Sequence, residues 1–419
     1  MRGSEHDKHP GRPDQYAPVE YASPPVMAEM SVRYTYRVRP SRTAEGLLLA
    51  EWNRDRWVWN ECVARSRALR LAGEMCGPAR LDKDLTQARQ ANQWLRDGSS
   101  VAQQQTIRDF GAARTKAIKD IQKRLAMRQR RGFPVLKKKA LAHPSMNYTR
   151  RGFSLQDGQL HLAGGIVLSV VWSRGLPSDP TSVRVSRDAA ERWWASFVVK
   201  VDSEPLLETG RVIGIDWGVT EIATTTDSEF DLAHPQHGKT AAAKLARYQR
   251  MMARRRPPKG KPASKGYQTA KRQAAEVYGQ VARRRTDHAR KWAKGLVRAH
   301  DQIAVEDFKP KFLANSTMAR KAADGAIGQA KRELIWMAAK HERDLRLVDP
   351  AYTTMDCGDC GARAKHRLLL SERTYTCSAC GVVKPRDKNS AQVMINRAGF
   401  LPAGVDRIRL DSPTETRAA

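Results

Sequence analysis

The sequence contains no apolar segment long enough to cross a bilayer. Its longest apolar run, near Leu162–Trp172, is too short for a membrane span and includes two glycines. No apolar stretch of the secretory type follows Met1. Cysteine is scarce as well, with six residues in 419, and four of these lie in two close pairs. We therefore expect a cytoplasmic protein that has no membrane partner and is not built on disulfides.

Acidic residues are few relative to basic ones. Lys and Arg number 75 against 44 Asp and Glu, so the formal net charge is +31 and the isoelectric point is near 10.3. So large an excess repels itself in a free protein and indicates a polyanionic partner. Nucleic acid is the first candidate and an anionic membrane surface is the second. A chain of 419 residues is long enough for several domains with apolar cores.

The paired cysteines form two C-x-x-C motifs that are separated by sixteen residues. Four thiolates at this spacing are typical of a tetrahedral structural zinc site. A glycine follows each pair, at Gly361 and Gly381, where the backbone must turn back. The alternatives are two disulfides or four separate buried thiols, and the symmetry of the pairs argues against both. We predict a zinc ribbon over residues 357–381 with four ligands: Cys357, Cys360, Cys377 and Cys380.

The N-terminal part begins with residues 1–30, which lack periodicity and are predicted to be a disordered tail. Apolar and polar residues alternate over 32–38, which predicts a half-buried strand. Residues 41–130 show apolar stripes at helical spacing. Cys62 and Cys76 lie in this helical context, so we expect them to fill a core.

The period changes to two from Gly132, which predicts a small antiparallel β-barrel over 131–205. The strand within 31–40 would belong to the same barrel, so the helical segment would be an insertion between its first and second strands. The clearest barrel strands are predicted at three places: Ile166–Trp172, Ser182–Arg187 and Trp193–Asp202.

The pattern of the C-terminal part predicts an α/β domain over 206–356 and 382–400, with the zinc ribbon inserted between these two segments. Two apolar strands end in acids, at Asp216 and Glu306. A basic helical pair is predicted over 237–300, broken by a turn at 257–266. Helices are predicted over 326–343 and 391–398, a strand end at 346–349, and a flexible tail over 401–419.

A third acid, Asp387, follows the ribbon at the start of a helix. Taken alone, each acid could be a solvated charge or, for Asp387, a helix cap. Three carboxylates that meet at one point repel each other unless cations lie between them, and oxygen ligands favour Mg²⁺ or Mn²⁺. Two such ions could activate a water and stabilise the leaving oxygen of a phosphodiester. We therefore predict that Asp216, Glu306 and Asp387 hold two catalytic Mg²⁺ ions.

The motifs around these residues resemble the RuvC-type nuclease motifs of TnpB, a family of transposon-encoded, RNA-guided DNA endonucleases related to compact type V CRISPR effectors. They are R-V-I-G-I-D-W-G-V-T-E-I-A-T, I-A-V-E-D-F, the two cysteine knuckles and R-D-K-N-S-A. The resemblance extends to G-F-P-V-L-K-K-K at 132–139 and covers about residues 31–400. Trp217 stands where we expect an aliphatic residue, and Pro385 stands where we expect an acid.

The resemblance implies a multidomain α+β protein. A RuvC/RNase H-like nuclease domain would carry the zinc ribbon as a target nucleic-acid-binding insert. The barrel would be the wedge domain, and the helices over 41–130 would be its inserted recognition domain. Guide RNA and double-stranded target DNA would be the partners, with no small-molecule substrate.

The function implied is DNA cleavage at one RuvC-like site, with specificity supplied by the guide and a short adjacent motif read by the protein. Either a transposon nuclease or a compact CRISPR effector fits this pattern. The alternatives are an RNA-guided DNA-binding protein that does not cut, and a zinc-ribbon protein that binds nucleic acid without a guide.

Overall fold

The computed structural model describes residues 29–400 except 259, 310–312, 314–315, 367 and 370. The two predicted tails, 1–30 and 401–419, therefore lie almost wholly outside the described residues. The described chain divides into two compact units. The first unit comprises the residues up to Asp202 together with Thr240–Arg283, and the second unit comprises Ser203–Lys239 and the residues from Arg284 onwards.

One seven-stranded antiparallel sheet forms the centre of the first unit. Its strand order is β2-β6-β7-β1-β5-β4-β3, so the N-terminal strand is central, pairing with β7 on one side and β5 on the other. This confirms that the predicted strand at 32–38 belongs to the same sheet as the later strands. The seven strands are β1 (Glu29–Arg39), β2 (Ser145–Thr149), β3 (Phe153–Gln156), β4 (Gln159–Leu162), β5 (Ile166–Val171), β6 (Ser182–Arg187) and β7 (Trp193–Asp202).

Four helices lie between β1 and β2, as the helical pattern predicted: α1 (Arg42–Leu71), α2 (Pro78–Ala91), α3 (Gln93–Arg96) and α4 (Ser100–Gln122). The hydroxyl of Ser41 accepts a hydrogen bond from the Ala44 amide and so caps α1. Cys62 and Cys76 are both buried in the helical core, and burial raises the pKa of Cys62 to about 12. Their prediction as core residues is confirmed.

The segment 131–144 was expected to open the barrel, but it forms no strand and the first strand after the helices begins at Ser145. Helix α4 likewise ends at Gln122, before the predicted limit near 130. The segment instead lies along α1. Trp59 donates from Nε1 to the Val135 carbonyl at 2.9 Å, and the Lys137 amide donates to Asn60 at 2.8 Å. These bonds to helix side chains take the place of strand pairing.

A five-stranded sheet forms the centre of the second unit, in the order β10-β9-β8-β11-β12. The first three of these strands pair antiparallel, and β8, β11 and β12 run parallel. One face of the sheet packs under α6 and α8, and the other face packs under α9. The strands are β8 (Val212–Trp217), β9 (Glu221–Thr225), β10 (Leu232–Ala233), β11 (Gln302–Glu306) and β12 (Asp344–Val348), and the helices include α6 (Lys265–Ala299), α8 (Ile327–Lys340) and α9 (Arg386–Ala398).

Two further helices are α5 (His237–Arg254) and α7 (Ala319–Gly325). The predicted basic helical pair is confirmed as α5 and α6, which are separated by the predicted turn. The expected helix over 326–343 is shorter than predicted and follows α7, because Ala326 takes a left-handed backbone conformation with φ of 56°. Among the described residues, no helix is both long and apolar enough to cross a membrane.

Candidate active site and zinc site

Two of the predicted acids lie side by side at the carboxyl edge of the parallel strands. Ile215 pairs with Val305, so the residues that follow, Asp216 and Glu306, are neighbours. Successive side chains of a strand point to opposite faces. Ile215 and Val305 enter the core under α6 and α8, so both carboxylates face the side that α9 covers.

Helix α9 brings the third acid to this face. A Cβ atom placed on Gly214, two residues before Asp216, would lie 2.9 Å from the carbonyl carbon of Ala391 and closer still to its oxygen. Only glycine therefore allows the α9 backbone to lie against β8. Asp387 is in the first turn of α9, so this close approach places its carboxylate on the same side of the sheet as Asp216.

Trp217 accounts for the position of Glu306. Its backbone amide donates to Glu306 Oε2 at 3.1 Å, and its indole Nε1 donates to the Glu306 carbonyl at 3.1 Å. The indole also packs edge-on against Trp292, with 5.9 Å between ring centroids. An aliphatic side chain at this position would lack the indole hydrogen bond, so the departure noted in the sequence has a structural role.

Burial and neighbouring charges raise the pKa values of the two strand-end acids. Burial raises the pKa of Asp216 well above its usual range, and the carboxylates of Glu306 and Asp387 raise it further. Burial also raises the pKa of Glu306 to about 7, although the hydrogen bond from the Trp217 amide opposes this rise. Each group would ionise more readily beside a bound cation.

Asp387 is held at the start of α9 by two arginines. Arg386 donates from Nε to its Oδ1 at 3.1 Å, and Arg373 Nη1 lies 3.7 Å from its Oδ2. Arg386 is itself fixed by the carbonyls of Leu369 and Glu372. The three acids thus share one face, but their ligand atoms do not all lie within 4.8 Å of one another. Among the described residues, one group of candidate metal ligands meets that distance.

That group is formed by the four cysteines predicted to bind zinc. The Sγ atoms of Cys357 and Cys380 are 3.7 Å apart, and those of Cys360 and Cys377 are 3.6 Å apart. Tetrahedral geometry with zinc–sulfur bonds of about 2.3 Å requires sulfur–sulfur separations of about 3.8 Å. The cysteine cluster therefore has the dimensions of a four-thiolate metal site.

Both cysteine knuckles have the same backbone geometry. The amides of Gly361 and Gly381 each donate at 3.0 Å to the carbonyl of the first cysteine of their pair, and both glycines have φ of 74°. Backbone amides of Cys380 and Ala379 lower the pKa of the Cys377 thiol to about 6, which favours its thiolate. Hydrogen bonds with the other thiols outweigh that from the Val382 amide and raise the pKa of Cys380 to about 12. The second knuckle lies at the turn of a hairpin formed by β13 (Thr374–Thr376) and β14 (Val383–Pro385).

The first knuckle is bound directly to α9. Asn389 Oδ1 accepts from the Gly358 amide at 2.8 Å, and its Nδ2 donates to the Asp356 carbonyl at 2.7 Å. One heptad later, Asn396 donates to the Gly358 carbonyl at 2.6 Å. We did not predict these contacts. Two asparagines at heptad spacing, with Gln392 between them on the same helix face, are the signal that could have revealed these contacts.

Comparison with known proteins agrees with this arrangement. A family model described as "Probable transposase" matches residues 196–316, and one described as "Cas12f1-like, TNB domain" matches residues 328–394. A protein of Streptomyces pristinaespiralis named "Putative RNA-guided DNA endonuclease" is 30% identical over 392 residues, which cover 92% of this chain and 93% of the relative. The chain belongs to the TnpB family.

Other TnpB relatives and solved structures extend the match. "Putative RNA-guided DNA endonuclease InsQ" of Escherichia coli K12 is 24% identical over 86% of this chain and 90% of its own. "CRISPR-associated DNA-binding protein Cas12m" of Allomeiothermus silvanus is 29% identical over 31% of this chain and 26% of its own. A cryo-EM structure of a Cas12f1–sgRNA–target DNA complex matches 88% of this TnpB chain and 99% of its own, with a TM-score of 0.55 and 11% identity, so the two share a fold.

Proposed function

We propose that this TnpB-family protein is an RNA-guided DNA endonuclease that hydrolyses phosphodiester bonds at one metal-dependent site. The observation that carries the proposal is the placement of Asp216, Glu306 and Asp387 on one face of the second unit's sheet. The pKa of Asp216, which burial and the carboxylates of Glu306 and Asp387 raise, is the electrostatic sign of that proximity, and burial raises the pKa of Glu306 as well. Perturbed carboxyl groups of this kind cluster at functional sites.

Oxygen-only donors suit Mg²⁺ or Mn²⁺, so the three carboxylates would be the ligands of two such ions. When bound, the ions would supply an activated water and stabilise the leaving 3′-oxygen. Asp216 and Glu306 lie on adjacent strands, and the Trp217 amide holds the Glu306 carboxylate. Asp387 lies on α9, whose close packing against β8 depends on Gly214. The protein's contribution is to hold three charges together at a cost to its own stability, which cation binding would offset.

The domain organisation follows the same proposal. The second unit's sheet, with three antiparallel strands followed by two parallel ones, is the order expected of a RuvC-like domain. The seven-stranded sheet of the first unit would be the wedge, and α1–α4 would be the recognition helices. The four cysteines would hold one structural zinc, and the ribbon over 357–381 would contact target nucleic acid.

The net charge of +31 supports a polyanionic partner. Two relatives are named as RNA-guided DNA endonucleases, and we infer guide RNA and double-stranded target DNA as the partners of this chain. Guide pairing would supply sequence specificity, so the protein would need only a basic channel and a short adjacent motif to read.

A second candidate is guided DNA binding without cleavage, which the Cas12m relative's name as a DNA-binding protein favours. The three carboxylates on one face of the sheet argue for cutting. The test is to purify the protein from its host, sequence any RNA bound to it, and incubate the complex with a matching plasmid in Mg²⁺. Bound RNA with guided cutting supports the proposal. Bound RNA without cutting supports the second candidate, and protein free of RNA contradicts both.

A further inference from the structure

Lys388, which follows Asp387 in the first turn of α9, makes a set of contacts that the proposed chemistry does not use. Its ammonium donates to both carboxylate oxygens of Asp231, at 2.9 and 2.7 Å, and to the carbonyl of Thr225 at 2.8 Å. The side chains of Lys388 and Asp231 are only 24% and 21% exposed. All three donor positions of the ammonium are therefore directed at β9 and the turn that follows it.

The acceptor side of this contact is rigid. Asp231 Oδ1 also accepts from the amide of Thr225 at 2.7 Å and from its hydroxyl at 3.1 Å. The preceding carbonyl, that of Phe230, accepts from the Trp292 indole at 2.8 Å. Asp231 is thus held by the strand on one side, and its turn is held by α6 on the other.

This acceptor site is built on the strand pair that carries the first catalytic acid. Thr225 ends β9, and its neighbour Thr224 pairs with Asp216 across the β8–β9 ladder. The ammonium of Lys388 therefore connects the first turn of α9 to the Asp216 strand pair at a second point, beyond the close contact at Gly214. Core packing of Met394 and Ile395 and the Asn389 bonds to the first knuckle hold the body of α9. The Lys388 contact adds a charged attachment beside Asp387 itself.

We propose that the Lys388–Asp231 pair is a positioning device that aims Asp387 at the metal site and so sets metal affinity. This inference rests on the proposed function. Lys388 is a positioning residue, since its ammonium bonds to Asp231 and Thr225 and acts on the metal site only through Asp387. The pair also keeps a cation that is one residue from Asp387 directed away from the carboxylates, where it would compete with Mg²⁺.

The test compares Lys388→Met and Asp231→Asn with the wild-type full-length protein. Asn keeps an oxygen that accepts from the Thr225 amide, so the turn is retained while the charge is removed. Mn²⁺ binding is measured by electron paramagnetic resonance on the protein alone, and the metal dependence of cleavage is measured on the guide-loaded complex. Circular dichroism checks that each variant is folded.

Each variant should raise the half-saturating Mn²⁺ concentration about tenfold, since a charge-assisted hydrogen bond is worth somewhat more than one tenfold step. Cleavage at saturating Mn²⁺ should stay within about threefold of wild type, because these variants add no atom that blocks the return of Asp387 to the occupied site. The double variant should be no worse than either single one, as expected for partners in one contact. Should Lys388→Met fail to fold, Asp231→Asn alone decides the matter.

Lys340→Met is the matched control. Lys340 forms an ion pair with Glu204 at 3.0 Å and is 22% exposed, but it precedes β12 at the amino edge of the parallel strands, opposite the acids. Its metal dependence should equal that of wild type. Unchanged Mn²⁺ affinity in Asp231→Asn would overturn the inference while leaving the site intact. If Asp216→Ala also binds Mn²⁺ like wild type, the proposed metal site itself is wrong.

Discussion

Replacing Gly214 with alanine tests how closely α9 must approach β8. The new Cβ would lie 2.9 Å from the carbonyl carbon of Ala391 and 3.0 Å from Cγ1 of Ile395. Carbon atoms in contact are normally about 3.5–4.0 Å apart, and the Ala391 carbonyl oxygen lies closer still, so the helix must retreat by at least about 1 Å. The obstacle is helix backbone rather than the end of a flexible side chain, and we expect a loss of about 1–3 kcal/mol in the free energy of unfolding.

The retreat would carry Asp387 away from Asp216. A displacement of about 1 Å at a catalytic group can lower the rate about a hundredfold, so Gly214→Ala should cut DNA about a hundredfold more slowly while binding guide RNA normally. The control is Gly295→Ala in α6, where a Cβ meets nothing within 4 Å. It should stabilise the protein by about 0.5–1 kcal/mol and leave cleavage unchanged. Cleavage by Gly214→Ala at the wild-type rate, measured in a plasmid-nicking time course, would show that the close approach of α9 to β8 does not position Asp387.

Three further predictions concern charge and metal. Burial raises the pKa of Glu306 from its ordinary value of 4.5 to about 7, so the free energy of unfolding of the metal-free protein should fall as pH rises through that interval. The fall is on the order of 3 kcal/mol, and Glu306→Gln should abolish it. Thermal melts without metal at pH 5 and pH 8 measure the difference. Cys377→Ser should release one zinc and open 357–381 to proteolysis, and metal analysis without zinc in the wild type would contradict this. Neutralising the exposed arginines 254–256 should lower the salt slope of nucleic-acid binding by about one unit per lost phosphate contact, and an unchanged slope would place them away from the nucleic acid.

The parts of the fold that the sequence predicted well are those with strong local patterns. Strands β6 and β7 have the predicted bounds because alternation and turn residues specify them locally. The four cysteines came together because C-x-x-C knuckles are short and self-contained. The prediction for 131–144 was wrong because the conformation of this segment depends on Trp59 and Asn60, which lie more than seventy residues away in the sequence.

The candidate site shows the same division between local and distant causes. Asp216 and Glu306 were recognisable because each ends an apolar strand, and parallel strands end at the same edge. Asp231 is separated from Lys388 by 157 residues and lies in a polar turn of ordinary composition, so no local pattern marks it. The contacts between α9 and the first zinc knuckle depend on tertiary packing in the same way.

The most direct test of the account compares binding with cutting in Asp216→Ala. Guide-loaded protein is incubated with matched DNA in Mg²⁺, and a gel shift and a plasmid-nicking time course are run on the same preparation. We expect binding close to that of wild type, because heteroduplex formation and phosphate contacts do not use this carboxylate. Cleavage should fall by several orders of magnitude, on the order of 10³ or more, because the proposed metal ligands would act as one unit. Cleavage of matched DNA by Asp216→Ala at near wild-type rate would show that the active site lies elsewhere.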